Sequence, residues 1–321
     1  MVEPPQLASS RRASILRRIF LSPDEPRLRS GWRLLIHTAL LLLIYLALSL
    51  LALTLLGPDL LYPARLQGLW LGLELIAILA ATWLARRLLD RRSFLSLGLR
   101  PDRHTASDLT LGFLLPALMM GLIFLFELAV GWLKIEGWAW RALGSADAMR
   151  GVLDGLLLFI LVGIAEEVLS RGYHLQNLAE GLNLHWALLI SSGVFALLHL
   201  ANPGSSWHST LGLLAAGYFL AYGWIVTRQL WLPIGLHIGW NFFEGTVFGF
   251  PVSGLNTFRL IETSVSGPEL VTGGAFGPEA GLIVLPAMLL GAWIMRVYGR
   301  RRRSHLQEMP ESPGQSDASG E

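Results

Sequence analysis

The sequence predicts an all-α polytopic membrane protein, a bundle of about eight transmembrane helices. Of its 321 residues, 53% are hydrophobic and only 15% are charged, with a mean hydropathy of +0.52. A soluble domain has about 45–50% apolar and about 25% charged residues. Apolar runs also recur at about the 20-residue length that a helix needs to cross a bilayer. These observations exclude a disordered chain and argue against an ordinary cytosolic globule. The absence of cysteine excludes disulfides, thiolate metal sites and cysteine nucleophiles.

Eight segments are candidate transmembrane helices. Segment 151–169 qualifies despite three acidic residues, and segment 185–201 is short for a span. In chain order, the segments are 34–56, 66–85, 109–133, 151–169, 185–201, 209–227, 230–250 and 280–297.

The basic residues predict the orientation of this bundle. With the N-terminus in the cytosol, 20 of the 25 Lys and Arg residues fall on the cytosolic side. Such a bias is typical of cytosolic loops, so both termini are expected inside the cell and the protein in the cell membrane. The basic residues left outside are Arg65, Lys134, Arg141, Arg150 and Arg259.

Two glycine pairs have the spacing that lets membrane helices approach closely. Gly68 and Gly72 are four residues apart, as are Gly235 and Gly239. Both pairs are therefore candidate helix-packing positions.

Polar residues within the apolar segments are the candidate functional residues. A charged side chain at the centre of a membrane helix costs about 2.5–3.5 kcal/mol, so it is expected to be functional or paired. These residues are Glu74, Glu127, Asp154, Glu166, Glu167, His199, His237, Asn241 and Glu244.

The first group lies in Glu166-Glu167-Val168-Leu169-Ser170-Arg171. Glu167 and Arg171 are four residues apart and can pair on one helix face. Glu166 is rotated by about 100° from Glu167, so it lacks that partner and can act as a general base towards water. An ordinary ion pair where a helix reaches the interface is the structural alternative.

The other groups supply imidazole and amide side chains. His199 ends an apolar helix, where a lone histidine is more often structural than catalytic. His237, Asn241 and Glu244 fall on one helical stripe. His237 and Asn241 can donate hydrogen bonds into one small volume, as an oxyanion hole requires, or make a polar contact between helices. Glu244 is expected to be structural or to gate access.

A carboxylate, two imidazoles and an amide on different helices suit peptide hydrolysis. The H-E-x-x-H pattern of zinc proteases is absent from the sequence. Glu166, His199 and His237 could still form a His₂Glu zinc site, so these residues leave the choice between metal and glutamate chemistry open.

At these residues the chain resembles the CPBP family of intramembrane proteases, which includes CAAX prenyl protease 2 and the Abi proteins. The family pattern is Glu-Glu-x-x-x-Arg, then Phe-x-x-x-His, then His-x-x-x-Asn. In this chain the pattern is matched by Glu166-Glu167…Arg171, Phe195…His199 and His237…Asn241. The resemblance covers roughly residues 150–250. Ser170 is a departure, because relatives often have a bulky aromatic residue before the arginine.

The resemblance implies an intramembrane endopeptidase of glutamate type, with no cofactor favoured and zinc as the alternative. Glu166 with His199 would activate a water molecule, and His237 with Asn241 would stabilise the oxyanion. Glu167 and Arg171 would support these groups. The expected partners are a peptide or membrane-protein substrate and the lipid bilayer, with no nucleic acid. A scaffold or bacteriocin-immunity protein of the same family is the alternative function, and a proton-coupled transporter is a third class.

The predicted organisation has five parts. They are a basic cytosolic tail (1–31), N-terminal transmembrane helices (32–149), a catalytic core (150–250), an outer loop with the last helix (251–299) and a disordered basic and polar tail (300–321).

The depth of His199 conflicts with a simple arrangement of spans. Glu166 and His237 lie at similar depths near the cytosolic side, but His199 is about 21 Å along its helix from His185. For His199 to reach Glu166, helix 185–201 must be tilted, embedded or irregularly placed.

Overall fold

A computed structural model describes residues 15, 17–23, 25–57 and 67–307, and this part of the chain is mostly helical. The helical class predicted from hydropathy is therefore confirmed. The helices are α1 (Ser30–Leu56), α2 (Gln67–Leu88), α3 (Thr105–Ala129), α4 (Ala139–Ala142), α5 (Ser145–Glu167), α6 (Leu175–Gly181), α7 (Leu184–Leu198), α8 (Trp207–Thr227), α9 (Trp231–Asn241), α10 (Glu269–Thr272) and α11 (Val284–Gln307). The π-helical segments Val168–His174 and Phe242–Val247 continue α5 and α9.

Four of the described helices are long and apolar enough to cross a membrane. They are Ser30–Leu56, Gly68–Leu88, Thr105–Ala129 and Trp207–Thr227. They coincide with the predicted segments 34–56, 66–85, 109–133 and 209–227, although residues 58–66 lie outside the described part. The structure thus supports a membrane-embedded helical protein, while the count of eight spans stays a prediction.

The four remaining predicted segments lie largely in helices that are shorter or less apolar than these. Segment 151–169 lies in α5 and passes into the π-helical turn, and α9 occupies only the first half of segment 230–250. Helix α7 has 15 residues, about 22 Å of helix, which is shorter than the roughly 30 Å of a hydrocarbon core. The predicted short helix is therefore present.

An antiparallel pair of strands corrects one predicted boundary. Segment 109–133 was expected to be helical throughout, but α3 ends at Ala129 and Leu133 begins strand β1 (Leu133–Trp138). This strand pairs with β2 (Ile261–Val265), with an irregularity between Ile135 and Gly137. Gly131, with a φ of +77°, permits the turn between α3 and β1.

Glycines bring α9 against α3. A Cβ atom added to Gly235 would lie 2.6 Å from the Leu109 carbonyl oxygen, and one added to Gly239 would lie 2.2 Å from that of Phe113. The expectation of close backbone approach is confirmed for this pair. It is wrong for Gly68 and Gly72, because an added Cβ atom at either would meet nothing within 4 Å.

The last helix extends beyond the predicted tail boundary. Residues 300–321 were expected to be disordered, but α11 continues to Gln307. Arg302 anchors this end, since it is buried, donates to the Thr227 carbonyl oxygen and pairs with Asp102 and Asp108. Residues 308–321 lie outside the described part.

The N-terminal segment 1–31 was predicted as a basic tail, and residues 1–14 lie outside the described part. The described part of this segment is largely exposed, but Arg27 is packed. Arg27 is 7% exposed and pairs with Glu25 and Glu180.

Candidate active site

A cavity of about 370 Å³ lies among α2, α5, α7, α8 and α9. All four side chains predicted to be catalytic line it, namely Glu166, His199, His237 and Asn241. Residues separated by more than 70 positions in the sequence therefore share one space. The remaining wall is largely aliphatic and aromatic.

Glu167 joins two of the predicted groups in a buried ion-pair network. Its Oε1 atom accepts from Arg171 Nη1 at 2.7 Å and from His237 Nδ1 at 2.8 Å. The Glu167 side chain is fully buried, and Arg171 also donates to the Gly217 carbonyl oxygen at 3.1 Å. The predicted pair of Glu167 and Arg171 is thus present. Its contact with His237 was missed.

This network fixes the tautomer of His237. A carboxylate oxygen can only accept, so the Nδ1 atom of His237 carries a proton. Its Nε2 atom then lies 3.8 Å from Glu166 Oε2. A hydrogen bond to one ring nitrogen of a functional histidine sets the orientation of the other nitrogen. Glu167 makes this hydrogen bond to His237.

Glu166 and Glu167 point to different environments, as their rotation on the helix requires. The Glu166 side chain is 29% exposed and faces the cavity, whereas Glu167 is fully buried behind it. One carboxylate is left available to solvent and substrate. The other is committed to the ion-pair network.

His199 reaches the cavity from the C-terminal end of α7. Its Nδ1 atom lies 2.8 Å from the Phe195 carbonyl oxygen, which accepts, so Nε2 is the nitrogen available to a ligand. The expected conflict in depth is resolved, because His199 lines the same space as Glu166. Helix α7 ends at Leu198, so His199 reaches the cavity from its C-terminus.

Phe195 packs the motif residues together. Its ring lies 4.9 Å from the His199 ring and 6.0 Å from the His237 ring, and the guanidinium carbon of Arg171 lies 4.5 Å from its centroid. The Phe-x-x-x-His spacing therefore has a packing role, since one aromatic ring contacts both imidazoles and a buried cation.

Glu244 is separated from the stripe on which it was predicted. The α-helical geometry of α9 ends at Asn241, and the following residues are π-helical. This changes the angular offset, so Asn241 lines the cavity while Glu244 is fully buried elsewhere. The interpretation of Glu244 as structural is consistent with this placement.

The remaining polar candidates are dispersed. Glu74 lines the cavity, while Glu127 is fully buried in α3 and lies outside the cavity lining. Asp154 is exposed and lies 3.9 Å from Arg150. Ser170, the departure from the family pattern, lies in the cavity wall.

Sequence reasoning missed the polar groups that loops bring to the cavity. Asn202, Ser253 and Glu279 line it from segments without helical periodicity. The only signal in the sequence was the glycine-rich stretch before α11, which permits tight backbone turns.

The side chains suggested for zinc do not form a metal site in this arrangement. Among the described residues, no three His, Asp or Glu side chains are placed so that they could hold a metal ion. Glu166, His199 and His237 share the cavity, but they fail this geometric requirement.

The arrangement has the parts that amide hydrolysis requires. It offers a partly exposed carboxylate, an imidazole oriented by a second carboxylate, another imidazole with a free nitrogen, and an amide. Together these can supply a base and hydrogen-bond donors around one reacting carbon.

Comparison with known proteins finds similarity to CAAX-type endopeptidases. Residues 148–243 match the family model of Rce1-like type II CAAX prenyl endopeptidases. The chain is 26% identical over 216 residues to the Bacillus subtilis (strain 168) protein named "Putative membrane peptidase YdiL", covering 65% of this chain and 82% of that protein. The resemblance to CPBP-family proteases is confirmed. A second B. subtilis protein, "Uncharacterized protein YyaK", is 25% identical over 166 residues, 50% of this chain and 54% of that protein. No solved structure matches the chain.

The Rce1-like segment runs from α5 to just beyond α9. It includes all three motifs, from Glu166 to Asn241, but neither Glu74 nor Glu279. The cavity therefore combines the segment matched by the family model with walls contributed by other parts of the chain.

Proposed function

We propose that this protein is an intramembrane endopeptidase in which Glu166, His199, His237 and Asn241 act on the reacting groups. The observation that carries the proposal is the shared cavity, in which Glu166 lies 3.8 Å from a histidine oriented by Glu167. The family description and the name of YdiL also support a protease.

In the proposed mechanism, Glu166 and His199 hold a water molecule, and Glu166 takes one of its protons. The water oxygen forms a bond to the scissile carbonyl carbon, and negative charge develops on the carbonyl oxygen. His237, donating from Nε2 in its protonated form, and Asn241 stabilise that oxyanion. The carbon–nitrogen bond then breaks, and the proton held by Glu166 passes to the leaving amine.

Glu167 and Arg171 support these steps without contacting the substrate. Glu167 orients His237 and favours its protonated form. Arg171 pairs with Glu167 and balances its negative charge. Removing either partner leaves a buried charge, so both are expected to matter for folding as well as for rate.

The proposed substrate is a peptide or a segment of a membrane protein. The largely apolar cavity wall suits a hydrophobic sequence or a lipid-modified one. Ser170 leaves room where relatives often have an aromatic residue, so this position is expected to tune substrate size.

Replacing Glu166 by Gln tests the proposal. The full chain in liposomes is offered a farnesylated CAAX peptide and the same peptide without lipid, and cleavage is followed by mass spectrometry. The variant should lose about 10²–10⁴-fold in rate, the contribution typical of general acid–base catalysis. Asp154→Asn is the matched control, because Asp154 is an exposed carboxylate on the same helix.

The same variant separates the alternative functions. If Glu166→Gln leaves the cellular role intact, a scaffold or immunity protein is favoured. Glu74 also lines the cavity, and an acidic residue inside a membrane is typical of proton-coupled transporters. Proton flux in proteoliposomes that depends on Glu74 would favour that class.

Chelation tests the glutamate type against the metallo type. We expect cleavage to persist after exhaustive dialysis against a chelator, since the mechanism above routes no step through an ion. Activity that disappears on chelation and returns with zinc would overturn the glutamate mechanism.

A further inference from the structure

The connection between α2 and α3 contacts both elements that carry the first and third motifs. It contains the 3₁₀ segment Phe94–Leu97, followed by Gly98 with a φ of +102°. Residues 94–98, called the 94–98 turn below, lie outside the segment that the family model matches. No step described above uses them.

The side-chain amide of Gln176 joins the 94–98 turn to the π-helical segment that carries Arg171. Gln176 Nε2 donates to the Leu97 carbonyl oxygen at 2.8 Å and to the Arg171 carbonyl oxygen at 3.2 Å. An amide nitrogen has two hydrogens, so both of them are used. Gln176 lies in α6, directly after the π-helical segment. One side chain therefore bridges the turn and the backbone of Arg171.

The same turn also holds the start of α9. Leu230, which precedes α9, donates from its backbone nitrogen to the Gly98 carbonyl oxygen at 2.7 Å. A Cβ atom added to Gly98 would lie 3.0 Å from Gln229 Cα and 3.1 Å from Leu230 N. Backbone packs against backbone at this position, and the positive φ also favours glycine.

The π-helical segment and the start of α9 also contact each other. A Cβ atom added to Gly172 would lie 3.2 Å from Leu230 Cδ1 and 3.7 Å from Leu97 Cδ1. Leu97 and Leu230 are both fully buried. The 94–98 turn, Gly172 and Leu230 thus form one packed junction.

The two elements that leave this junction meet again at Glu167. Arg171 Nη1 lies 2.7 Å from Glu167 Oε1, and His237 Nδ1 on α9 lies 2.8 Å from the same oxygen. Hydrogen bonds of this kind are normally no longer than about 3.2 Å, so they tolerate little displacement of either element. A misplacement of about 1 Å caused far from the chemistry can cost about 10²-fold in rate.

We propose that Gln176 is a positioning residue of the protease site, which ties the backbone of Arg171 to the turn that also anchors α9. This inference rests on the proposed function. Gln176 is absent from the cavity lining, so it acts through Arg171 and the junction rather than on the substrate. π-Helical turns are rare and occur frequently at functional sites, and the bridge from Gln176 stabilises this one.

Gln176→Met in the full-length chain tests this proposal. Met has a similar length but donates no hydrogen bond, so the Leu97 and Arg171 carbonyl oxygens lose their bridge. We expect kcat for peptide cleavage in liposomes to fall at least 10-fold with KM unchanged, because the cavity lining is intact. Gln176→Lys, whose ammonium group can donate to both carbonyl oxygens, should recover part of kcat.

Asn177→Leu is the matched control. Asn177 also donates from a side-chain amide to the π-helical segment, at 3.0 Å from the Tyr173 carbonyl oxygen, but this bond is local to the helix. The control should lower the unfolding temperature, because a buried hydrogen bond is lost, and leave kcat unchanged. Equal falls of kcat in the two variants would overturn the role of Gln176, as would a Gln176→Met protein with the kcat of the wild type.

A second measurement does not depend on proteolysis. In protein labelled with ¹⁵N-histidine, the Nδ1–H NMR signal of His237, assigned by its loss in His237→Gln, reports the bond to Glu167. It should shift in Gln176→Met and stay in place in Asn177→Leu. Gln176→Ala also removes both donors, and it repeats the measurement where Gln176→Met does not fold.

The two measurements separate this inference from the protease itself. A shifted signal in a chain that cleaves no peptide would support the positioning role and reject the protease. An unshifted signal would overturn the positioning role, whether or not the wild type cleaves peptide.

Discussion

Glu167 Oε1 lies 2.8 Å from His237 Nδ1, and the same oxygen accepts from Arg171 at 2.7 Å. One carboxylate therefore orients an imidazole and neutralises a guanidinium in a fully buried position. This contact links the first and third sequence motifs directly. It makes Glu167 the residue on which the geometry of the site depends.

Glu167→Gln should lower the rate and also the stability, because it leaves the buried Arg171 without its charged partner. The amide oxygen can still accept from His237, but the charge that favours the imidazolium is lost. Changing a partner that orients a functional histidine typically costs about 10–100-fold in activity. The effect should appear in kcat, measured by peptide cleavage in liposomes. Asp154→Asn serves again as control, and an unchanged kcat would show that His237 needs no charged partner.

The predicted orientation can be tested because the chain has no cysteine. Ala106→Cys lies near the start of α3, on the side predicted to be cytosolic, and Ala146→Cys lies near the start of α5, on the side predicted to be outside. Both positions are exposed. In right-side-out vesicles, a membrane-impermeant maleimide should label only Ala146→Cys until detergent is added. The reverse pattern would invert the topology inferred from basic residues.

The motif residues and most helices could be predicted from sequence because their signals are local. Periodicity separates Glu166 from Glu167 by about 100°, and the structure places them in the cavity and behind it. The π-helical turns after Glu167 and Asn241 have no comparable signal, so the displacement of Glu244 was missed. Glu279 was missed because only long-range packing of a glycine-rich loop brings it to the cavity.

Acid should weaken the ion-pair cluster around Glu180, which lies in the short helix α6. Its carboxylate lies 2.9 Å from Arg33 Nη2 and 3.1 Å from Arg27 Nη2, and Arg92 also pairs with it. Burial favours the neutral acid, but the hydrogen bond from Arg33 and the three guanidinium charges outweigh it. The pKa of Glu180 therefore lies below its ordinary value near 4.5.

This shift fixes the sign of the pH dependence. A depressed pKa in the folded state means that the cluster stabilises the protein above about pH 4.5, and that this contribution is lost as the pH falls through the folded pKa. The unfolding temperature of the wild type should fall more steeply in acid than that of Glu180→Gln, which should already be less stable at pH 7. The exposed Glu262→Gln is the control. Parallel curves for the wild type and Glu180→Gln would contradict the assignment.

The close contact between α9 and α3 should make Gly239 intolerant of even one methyl group. An added Cβ atom would lie 2.2 Å from the Phe113 carbonyl oxygen, which belongs to backbone and cannot rotate away. Overpacking of this kind costs about 1–3 kcal/mol. Gly239 lies between His237 and Asn241, so separating the helices would also move both side chains in the cavity. Gly239→Ala should therefore lower both the unfolding temperature in detergent and kcat. Gly72→Ala should change neither, because nothing lies within 4 Å of its added Cβ atom. Equal behaviour of the two variants would mean that α9 and α3 do not pack through Gly239.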